Sequence, residues 1–332
     1  MPLLLLTAAC GAGSDSRTGY TIVDSTGIRI TTVQLALEQL PEWMLAEEPA
    51  VVLDGAGAGG GPFFERVTSA AWTSAGGIVV LDRQADQLHL FAADGSYVRS
   101  FGRSGDGPGE FANIASVTVT PGDSIFVFDR GHDRVSVFHA GAGFARDLSL
   151  LADSAGLFPN DVWALAPDRF LLLKLWYDQA RVELDDRPFL LRSETRLTVH
   201  DGSGARRAGP LAVPGPWSAM YSFGSGPVPL AARTFVDAGP AGVVYGTGDE
   251  YAVTLLDSGL RVVAMLRWPS LREPTVDADR EEVRASIRET FGEVRPQWID
   301  EILTLVLSDD AVPELRPAHG ELVLGTDGSV WV

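Results

Sequence analysis

Two consecutive stretches of this chain, Gly55–Phe101 and Gly102–Leu148, align with each other at a constant offset of 47 residues. They carry the segments Phe101-Gly-Arg-Ser-Gly-Asp-Gly-Pro-Gly-Glu-Phe111, Ile125-Phe-Val-Phe-Asp129 and Arg134-Val-Ser-Val-Phe138. The aligned positions keep their chemical character, as in the pairs Phe64/Phe111, Val67/Ile114, Ile78/Ile125, Asp82/Asp129, Leu88/Val135 and Phe91/Phe138. Similarity at a period of about 40–50 residues predicts one supersecondary unit per repeat, stacked against its neighbours.

Each repeat has the local pattern of short β-strands. Ile78–Leu81 and Ile125–Phe128 are continuous apolar runs, and Arg134–Phe138 alternates at period two, which is typical of a half-buried strand. Asp-Gly pairs such as Asp94-Gly95 predict hairpin turns, because both residues tolerate positive φ. We therefore expect about four strands per repeat. Looser copies follow at 196–202 and 243–259, and the segment 321–332 predicts two strands around an Asp-Gly turn.

The Gly-Pro-Gly-Glu-Phe111 signature, with the two strands after it, resembles the NHL-type repeat. Most of the chain resembles the six-bladed β-propeller lipoproteins of environmental bacteria, most sharply between Gly55 and Asn160. The resemblance implies an all-β fold, a six-bladed β-propeller, in a cell-envelope setting. It implies no single activity, because the same ring occurs in lyases, lactonases, receptors and interaction modules.

The repeat length fits a single propeller domain at residues 20–332. With roughly 45 inserted residues set aside, Gly55–Val332 accommodates about five repeats, and the hairpin at 20–33 with the segment up to Leu53 supplies most of a sixth. One insertion is the polar stretch 176–188. The other, at about 277–307, predicts a short helical insertion near the C-terminus, because Val283, Ile287 and Phe291 recur every four residues. A separate helical domain is the less favoured alternative, because the stretch is too short for its own core. The strand pattern stops in mid-strand at Val332, which leaves a truncated C-terminus as an alternative.

The N-terminus predicts export and a lipid anchor. Residues 1–9 are read as the end of a signal peptide, and Leu6-Thr-Ala-Ala-Cys10 resembles a bacterial lipobox, with small residues before the cysteine. Residues 10–19 then form a small polar tether. No Lys or Arg precedes the apolar run, which departs from the usual signal. The alternative is that Cys10, the only cysteine, is a buried free thiol.

Composition excludes several classes of protein. Hydrophobic residues make up 45% of the 332 residues, which is enough for a sizeable core. The formal net charge is −18, so the phosphate backbone of a nucleic acid would be repelled and no nucleic-acid partner is expected. A single Cys excludes a disulfide within the chain.

Position in the repeat nominates one candidate site. Arg66, Asn113 and Asn160 share one repeat position before the innermost strand, and Asp161 follows the last of them. Polar groups from three blades at one mouth of the axial channel would form a small ligand-binding ring. The competing interpretation, which we favour, is that they hydrogen-bond neighbouring blades or bridge water. The related lactonases place Glu, Asn and Asp around a divalent metal here, so Ca²⁺ is conceivable although no cofactor is predicted.

The remaining polar motifs are read as structural. Asp82, Asp129 and Glu110 are expected to accept backbone N–H groups in turns and loops. The five histidines do not recur at one repeat position, so zinc is not indicated, and His132 is expected in a solvated turn. The Gly-rich stretch 55–60 lacks the following helix that a dinucleotide site requires and is read as a loop between blades.

These observations predict a lipid-anchored protein of the bacterial cell envelope, on the periplasmic or outer-membrane face, that binds a small ligand or an envelope protein without catalysis. No catalytic residue is nominated, because no catalytic constellation repeats or clusters. The alternative is a metal-dependent hydrolase, similar to the lactonases, or a lyase, with its site at the channel mouth. A structural module of an envelope complex is a third possibility.

Overall fold

The structure is a computed structural model that describes residues 3–4, 15–17, 19–35, 47–53, 61–150, 157–176, 188–268, 273–292, 295–318, 320–325 and 327–332. For residues 3–4, 15–17 and 157–160 it describes the backbone alone. Cys10, the Gly-rich stretch 55–60 and nearly all of the insertion at 176–188 lie outside the described residues.

Antiparallel strands make up most of the described chain, as the sequence predicts. In chain order the strands are β1 (Leu3–Leu4), β2 (Asp15–Arg17), β3 (Tyr20–Ser25), β4 (Ile28–Val33), β5 (Val67–Trp72), β6 (Ile78–Asp82), β7 (Gln87–Phe91), β8 (Tyr97–Phe101), β9 (Ile114–Val119), β10 (Ser124–Asp129), β11 (Arg134–His139), β12 (Gly143–Ser149), β13 (Leu157–Ala166), β14 (Arg169–Trp176), β15 (Phe189–Asp201), β16 (Arg206–Tyr221), β17 (Gly224–Pro227), β18 (Phe235–Gly239), β19 (Gly242–Gly246), β20 (Ala252–Leu256), β21 (Val262–Arg267), β22 (Val323–Leu324) and β23 (Val330–Trp331). The helices are α1 (Asp277–Phe291) and α2 (Ile299–Val306), with a 3₁₀ turn at Pro296–Trp298 between them.

The sheets follow one another as the blades of a propeller. Blade 1 is β5–β8, blade 2 is β9–β12, blade 3 is β13–β17 and blade 4 is β18–β21, each in simple up-and-down order. The innermost strands β5, β9, β13, β18 and β22 are neighbours in that sequence. The hairpin β22–β23 begins a further sheet, and β1 pairs with β23. The two aligned repeats are thus blades 1 and 2, and four strands per repeat is confirmed.

The hydrophobic core lies between blades rather than inside them. Side chains alternate along a strand, so Ile125 and Val127 pack against blade 1 while Phe126 and Phe128 pack against blade 3. Both faces of a central strand are therefore buried, which explains continuous apolar runs in an antiparallel sheet. The expectation that 134–138 is half-buried is wrong for the same reason: Ser136 is fully buried and donates to the Asp147 carboxylate at 2.6 Å.

Two buried carboxylates hydrogen-bond the backbone where the chain enters the inner strands. Asp82, at the end of β6, has no exposed surface and accepts the backbone N–H groups of Glu65 and Arg66 at 2.7 and 2.9 Å. Asp129, at the end of β10, accepts Asn113 N–H at 3.0 Å in the same way. Burial raises the pKa of Asp82, but the backbone N–H groups outweigh it and the pKa is lowered. The predicted turn-capping role of both residues is confirmed.

The N-terminal hairpin does not form a sheet of its own. Strands β2, β3 and β4 extend blade 4, where β4 runs parallel to the outer strand β21. Pairing with β21 satisfies the free backbone edge of the hairpin, which a two-stranded unit would leave exposed. The expectation that this hairpin supplies most of a sixth blade is therefore wrong for the hairpin itself.

The helical insertion is confirmed and packs on blade 3. Strands β15 and β16 are 13 and 16 residues long, and their ends project beyond the ring. The helical lobe, which we define as residues 277–306, buries Val283, Ile287, Ile302 and Val306 against Ala219 of β16 and against Val228, which follows β17. Aromatic stacking reinforces the contact, since Phe223 and Trp298 lie with ring centroids 4.0 Å apart and nearly parallel planes.

We predict that Asp82→Asn lowers the free energy of unfolding by about 2–4 kcal/mol. The amide keeps the shape of the side chain but loses the charge that strengthens hydrogen bonds to the backbone, and its NH₂ group faces N–H donors. Urea titration followed by tryptophan fluorescence measures the change. The control is Asp24→Asn, in an exposed turn, where we expect a change within about 0.5 kcal/mol. Equal effects of the two substitutions would contradict the fastening role.

Candidate functional site

The candidate site lies where the chain enters the inner strands of neighbouring blades. Arg66 and Asn113 occupy equivalent places, because each backbone N–H binds the buried Asp of its blade and each carbonyl accepts the N–H of the residue after that Asp. The Arg66 side chain is exposed, and the Asn113 side chain is partly buried. The equivalence follows directly from the 47-residue offset. The prediction that they belong to one ligand-binding ring stays a prediction.

Two arginines that follow the buried carboxylates bring adjacent blades together. Arg83, after Asp82, donates from Nη2 to the Asn113 side-chain oxygen of blade 2 at 3.0 Å. Arg130, after Asp129, is partly buried, and its pKa is lowered first by burial and then by the positive charge of Arg83. Two guanidinium groups are therefore close enough to repel each other at this end of the inner strands.

Asp161 enters the same region from blade 3. Its carboxylate hydrogen-bonds the Ser116 hydroxyl of blade 2, and Ser116 also accepts Val162 N–H at 3.1 Å. Burial is the main cause that raises the pKa of Asp161. The negative charge of Asp237 adds to that rise, and Arg130 partly offsets it. Asp161 thus joins blades 2 and 3 and interacts electrostatically with the arginine pair.

Asp237, on the inner strand of blade 4, continues this line of polar groups. It accepts Leu324 N–H of β22 at 2.7 Å and hydrogen-bonds the Trp163 side chain of blade 3. Burial raises the pKa of Asp237 as well. We call the set Arg83, Asn113, Arg130, Asp161 and Asp237 the mouth cluster. Its members link four successive blades and the start of a further sheet, so the structural interpretation of the nominated residues has direct contacts in its support.

Sequence reasoning nominated Asn113 and Asp161 but missed Arg83, Arg130 and Asp237. The two arginines are themselves 47 residues apart, so the repeat contained the signal that would have found them. No repeat signal marks Asp237. The side chain of Asn160 lies outside the described residues, although its backbone is part of β13.

Two other polar residues near the loops have structural partners. Glu110 accepts Gly107 N–H at 2.8 Å and pairs with Arg103, which confirms its expected role in holding the Gly-rich loop. His132 is less solvated than expected. Its Nδ1 lies 2.5 Å from the Asp129 carboxylate and its Nε2 lies 3.0 Å from that of Asp106, and these two contacts raise the pKa of His132.

The mouth cluster does not suit a divalent cation. Within the described ranges, no group of three His, Cys, Asp or Glu side chains stands together in a way that could hold a metal ion. The two carboxyls of the cluster are accompanied by guanidinium groups, which oppose a divalent cation.

Comparison with known proteins supports the fold. A family model described as a 6-bladed beta-propeller matches residues 65–164. The matched region spans blades 1 and 2 and most of the first strand of blade 3. The fold class predicted from sequence, an all-β six-bladed β-propeller with a short helical insertion near the C-terminus, is confirmed.

Solved structures resemble the chain only distantly. An exported protein of Bacteroides fragilis is 16% identical with a TM-score of 0.43, and the match covers 66% of this chain and 55% of that one. The chain thus spans about half the length of that protein. A streptogramin B lyase is 11% identical, with a TM-score of 0.33 and coverage of 79% and 85%. The hydrazine synthase of Kuenenia stuttgartiensis is 14% identical, with a TM-score of 0.33 and coverage of 79% and 78%. No curated protein matches the sequence.

In the part of the chain that the structure describes, neither helix has the length and apolar character that crossing a membrane requires.

We predict that the free energy of unfolding of the Asp161→Asn variant rises relative to that of wild type as the pH is raised from about 4 to about 7. A raised pKa means that, above the unfolded pKa near 4, the folded state keeps its proton to a higher pH than the unfolded state does, so wild-type stability falls until the pH has passed the folded pKa. The amide removes that titration and can still accept the hydrogen bonds of Asp161. Urea titrations at several pH values measure the difference, with about 1.4 kcal/mol for each tenfold change in proton affinity.

The matched control is Asp94→Asn in an exposed turn. The Ser96 hydroxyl and N–H lower the pKa of Asp94, so wild type gains stability as the pH rises. We therefore expect the free energy of unfolding of Asp94→Asn to fall relative to that of wild type over the same pH range. A difference between Asp161→Asn and wild type that does not vary with pH would contradict the assigned burial.

Proposed function

We propose that the protein is a binding module of the bacterial cell envelope that performs no catalysis and takes a small oxyanion, a carboxylate or a phosphate, at the mouth cluster. The observation that carries the proposal is the juxtaposition of Arg83 and Arg130 from adjacent blades beside Asn113. An oxyanion between two guanidinium groups relieves their repulsion and accepts their forked N–H donors.

Burial weakens the opposition of the nearby carboxyls to a bound anion. The pKa values of both Asp161 and Asp237 are raised, chiefly by burial, so each carboxyl holds its negative charge less readily than an exposed one. The net charge of −18 is spread over the rest of the chain. Two guanidinium groups on an acidic protein would select anions by short-range hydrogen bonds, because the net negative charge gives no long-range attraction.

We predict that Arg130→Gln and Arg83→Gln each weaken oxyanion binding at least tenfold, because a charge-assisted hydrogen bond to a ligand contributes about 1.5–3 kcal/mol. Isothermal titration calorimetry with succinate, citrate and inorganic phosphate measures the affinity and separates the carboxylate and phosphate classes. The control is Arg146→Gln, at an exposed arginine of blade 2 whose Nη2 donates to Gly202 O at 2.9 Å.

Two outcomes would overturn this function. If wild type, both mouth variants and the control bind oxyanions with equal affinity, the mouth cluster is not the binding site. Turnover of ester, lactone or amidated-peptide substrates with added Ca²⁺ or Zn²⁺, abolished by Asn160→Ala or Asp161→Asn, would establish the hydrolase or lyase alternative instead.

The envelope location rests on the lipobox-like segment Leu6–Cys10. We predict that Cys10→Ala moves the protein from the membrane fraction to the soluble fraction when the full gene product is expressed in a bacterial host. Lipid chains on the cysteine contribute about 0.8 kcal/mol for each buried methylene, and their loss removes the anchor. Fractionation and immunoblotting measure the distribution, with Ser14→Ala in the tether as the control. An unchanged distribution would exclude lipidation at Cys10.

A further inference from the structure

A cavity lies between the long strands β15 and β16 of blade 3 and the segment that follows α2. Its volume is about 300 Å³, which is at the small end of the range for ligand sites. Leu190 of β15 and Trp217 of β16 form one wall, and Val312, which follows α2, forms another. The segment that follows the helical lobe supplies most of the remaining lining, with residues 309–315 and 317.

The apolar walls are anchored by buried side chains. Val228 and Val312 are almost fully buried, and Trp217, which also lines the cavity, is half-buried. An indole ring is the strongest cation–π partner among protein side chains. The protein already uses Trp217 in this way, because the Arg192 guanidinium lies 5.8 Å from its ring centroid.

Four carboxylates line the same cavity. Asp249 is paired with Arg192, whose Nη2 and Nη1 lie 2.5 and 3.3 Å from its two oxygens, so this carboxylate is neutralised internally. The other three, Asp309, Asp310 and Glu314, are exposed, and none of them has a salt bridge to another residue that the structure describes. The cavity therefore combines an aromatic wall with an uncompensated negative charge.

We propose that this cavity binds a small organic cation that has an apolar stem, an alkyl- or arylammonium or a guanidinium compound. The stem would pack against Leu190, Trp217 and Val312, and the cationic head would meet the carboxylates of Asp309, Asp310 and Glu314. The pairing of Arg192 with Trp217 and Asp249 shows the same chemistry within the chain. The site is distinct from the mouth cluster and takes a ligand of opposite charge.

The test uses three probes of similar shape and different charge: phenethylamine as the cation, phenethyl alcohol as the neutral analogue and 3-phenylpropionate as the anion. Isothermal titration calorimetry on the whole protein is expected to give binding of the amine at least tenfold tighter than of the alcohol. No binding of the anion is expected at this cavity, and Arg83→Gln is included to remove any binding at the mouth cluster. Equal affinity for all three probes, or no binding of the amine, would overturn the proposal.

The variant Asp309→Asn/Asp310→Asn/Glu314→Gln is expected to weaken amine binding at least tenfold without loss of the folded state, because all three side chains are exposed. The control variant Asp277→Asn/Glu282→Gln/Glu289→Gln changes the net charge equally on exposed positions of α1 that do not line the cavity. Equal loss in both variants would show a general effect of protein charge and would overturn the site. Trp217→Leu supplies a second measurement, with loss of affinity expected and an unfolding curve recorded to check folding.

Discussion

The buried carboxylates of Asp82 and Asp129 fix the path of the chain into the inner strands. The position of each inner strand beside its neighbour in the blade depends on these hydrogen bonds. Each carboxylate binds two successive residues that lie sixteen or seventeen positions earlier, so the inner strand of a blade is tied to the strand beside it. The next residue, Arg83 or Arg130, is thereby held at the end of the inner strands. Blade 3 departs from this rule. Lys174 occupies the corresponding buried end of β14, and the polar link between blades is made by Asp161.

The same arrangement explains why the blades need each other. A blade has two apolar faces, and its central strands contribute alternate side chains to the core on either side. Phe138 of blade 2 illustrates the consequence, since it packs against Phe101 of blade 1 and against Phe111 in the loop that joins the two blades. No blade has an interior of its own, so stability is shared along the ring through interfaces between neighbours. The polar contacts of the mouth cluster are therefore positioned by packed strands as well as by loops.

The 47-residue offset was sufficient to predict blades 1 and 2, the positions of Asp82, Asp129 and Asn113, and the fold class. The helical insertion followed from the spacing of Val283, Ile287 and Phe291. Blades 3 and 4 were harder because β15 and β16 extend to 13 and 16 residues, which obscures the period. The register of the N-terminal hairpin and the approach of Asp237 to Trp163 depend on contacts between distant segments. No local pattern encodes such contacts, and the cavity beside Trp217 was unpredictable for the same reason.

The segments that enter and leave the helical lobe lie side by side. Thr275 N–H binds Glu314 O at 2.9 Å, and Arg316 N–H binds Glu273 O at 2.8 Å, so two short antiparallel segments close the base of the excursion. The guanidinium of Arg316 holds Glu273 and Asp279 across the same base. A loop whose two ends are already clamped can change in length or content without altering what lies beneath it. The helical lobe is therefore a part of this protein whose length and sequence can change while the blades keep their strand pairing.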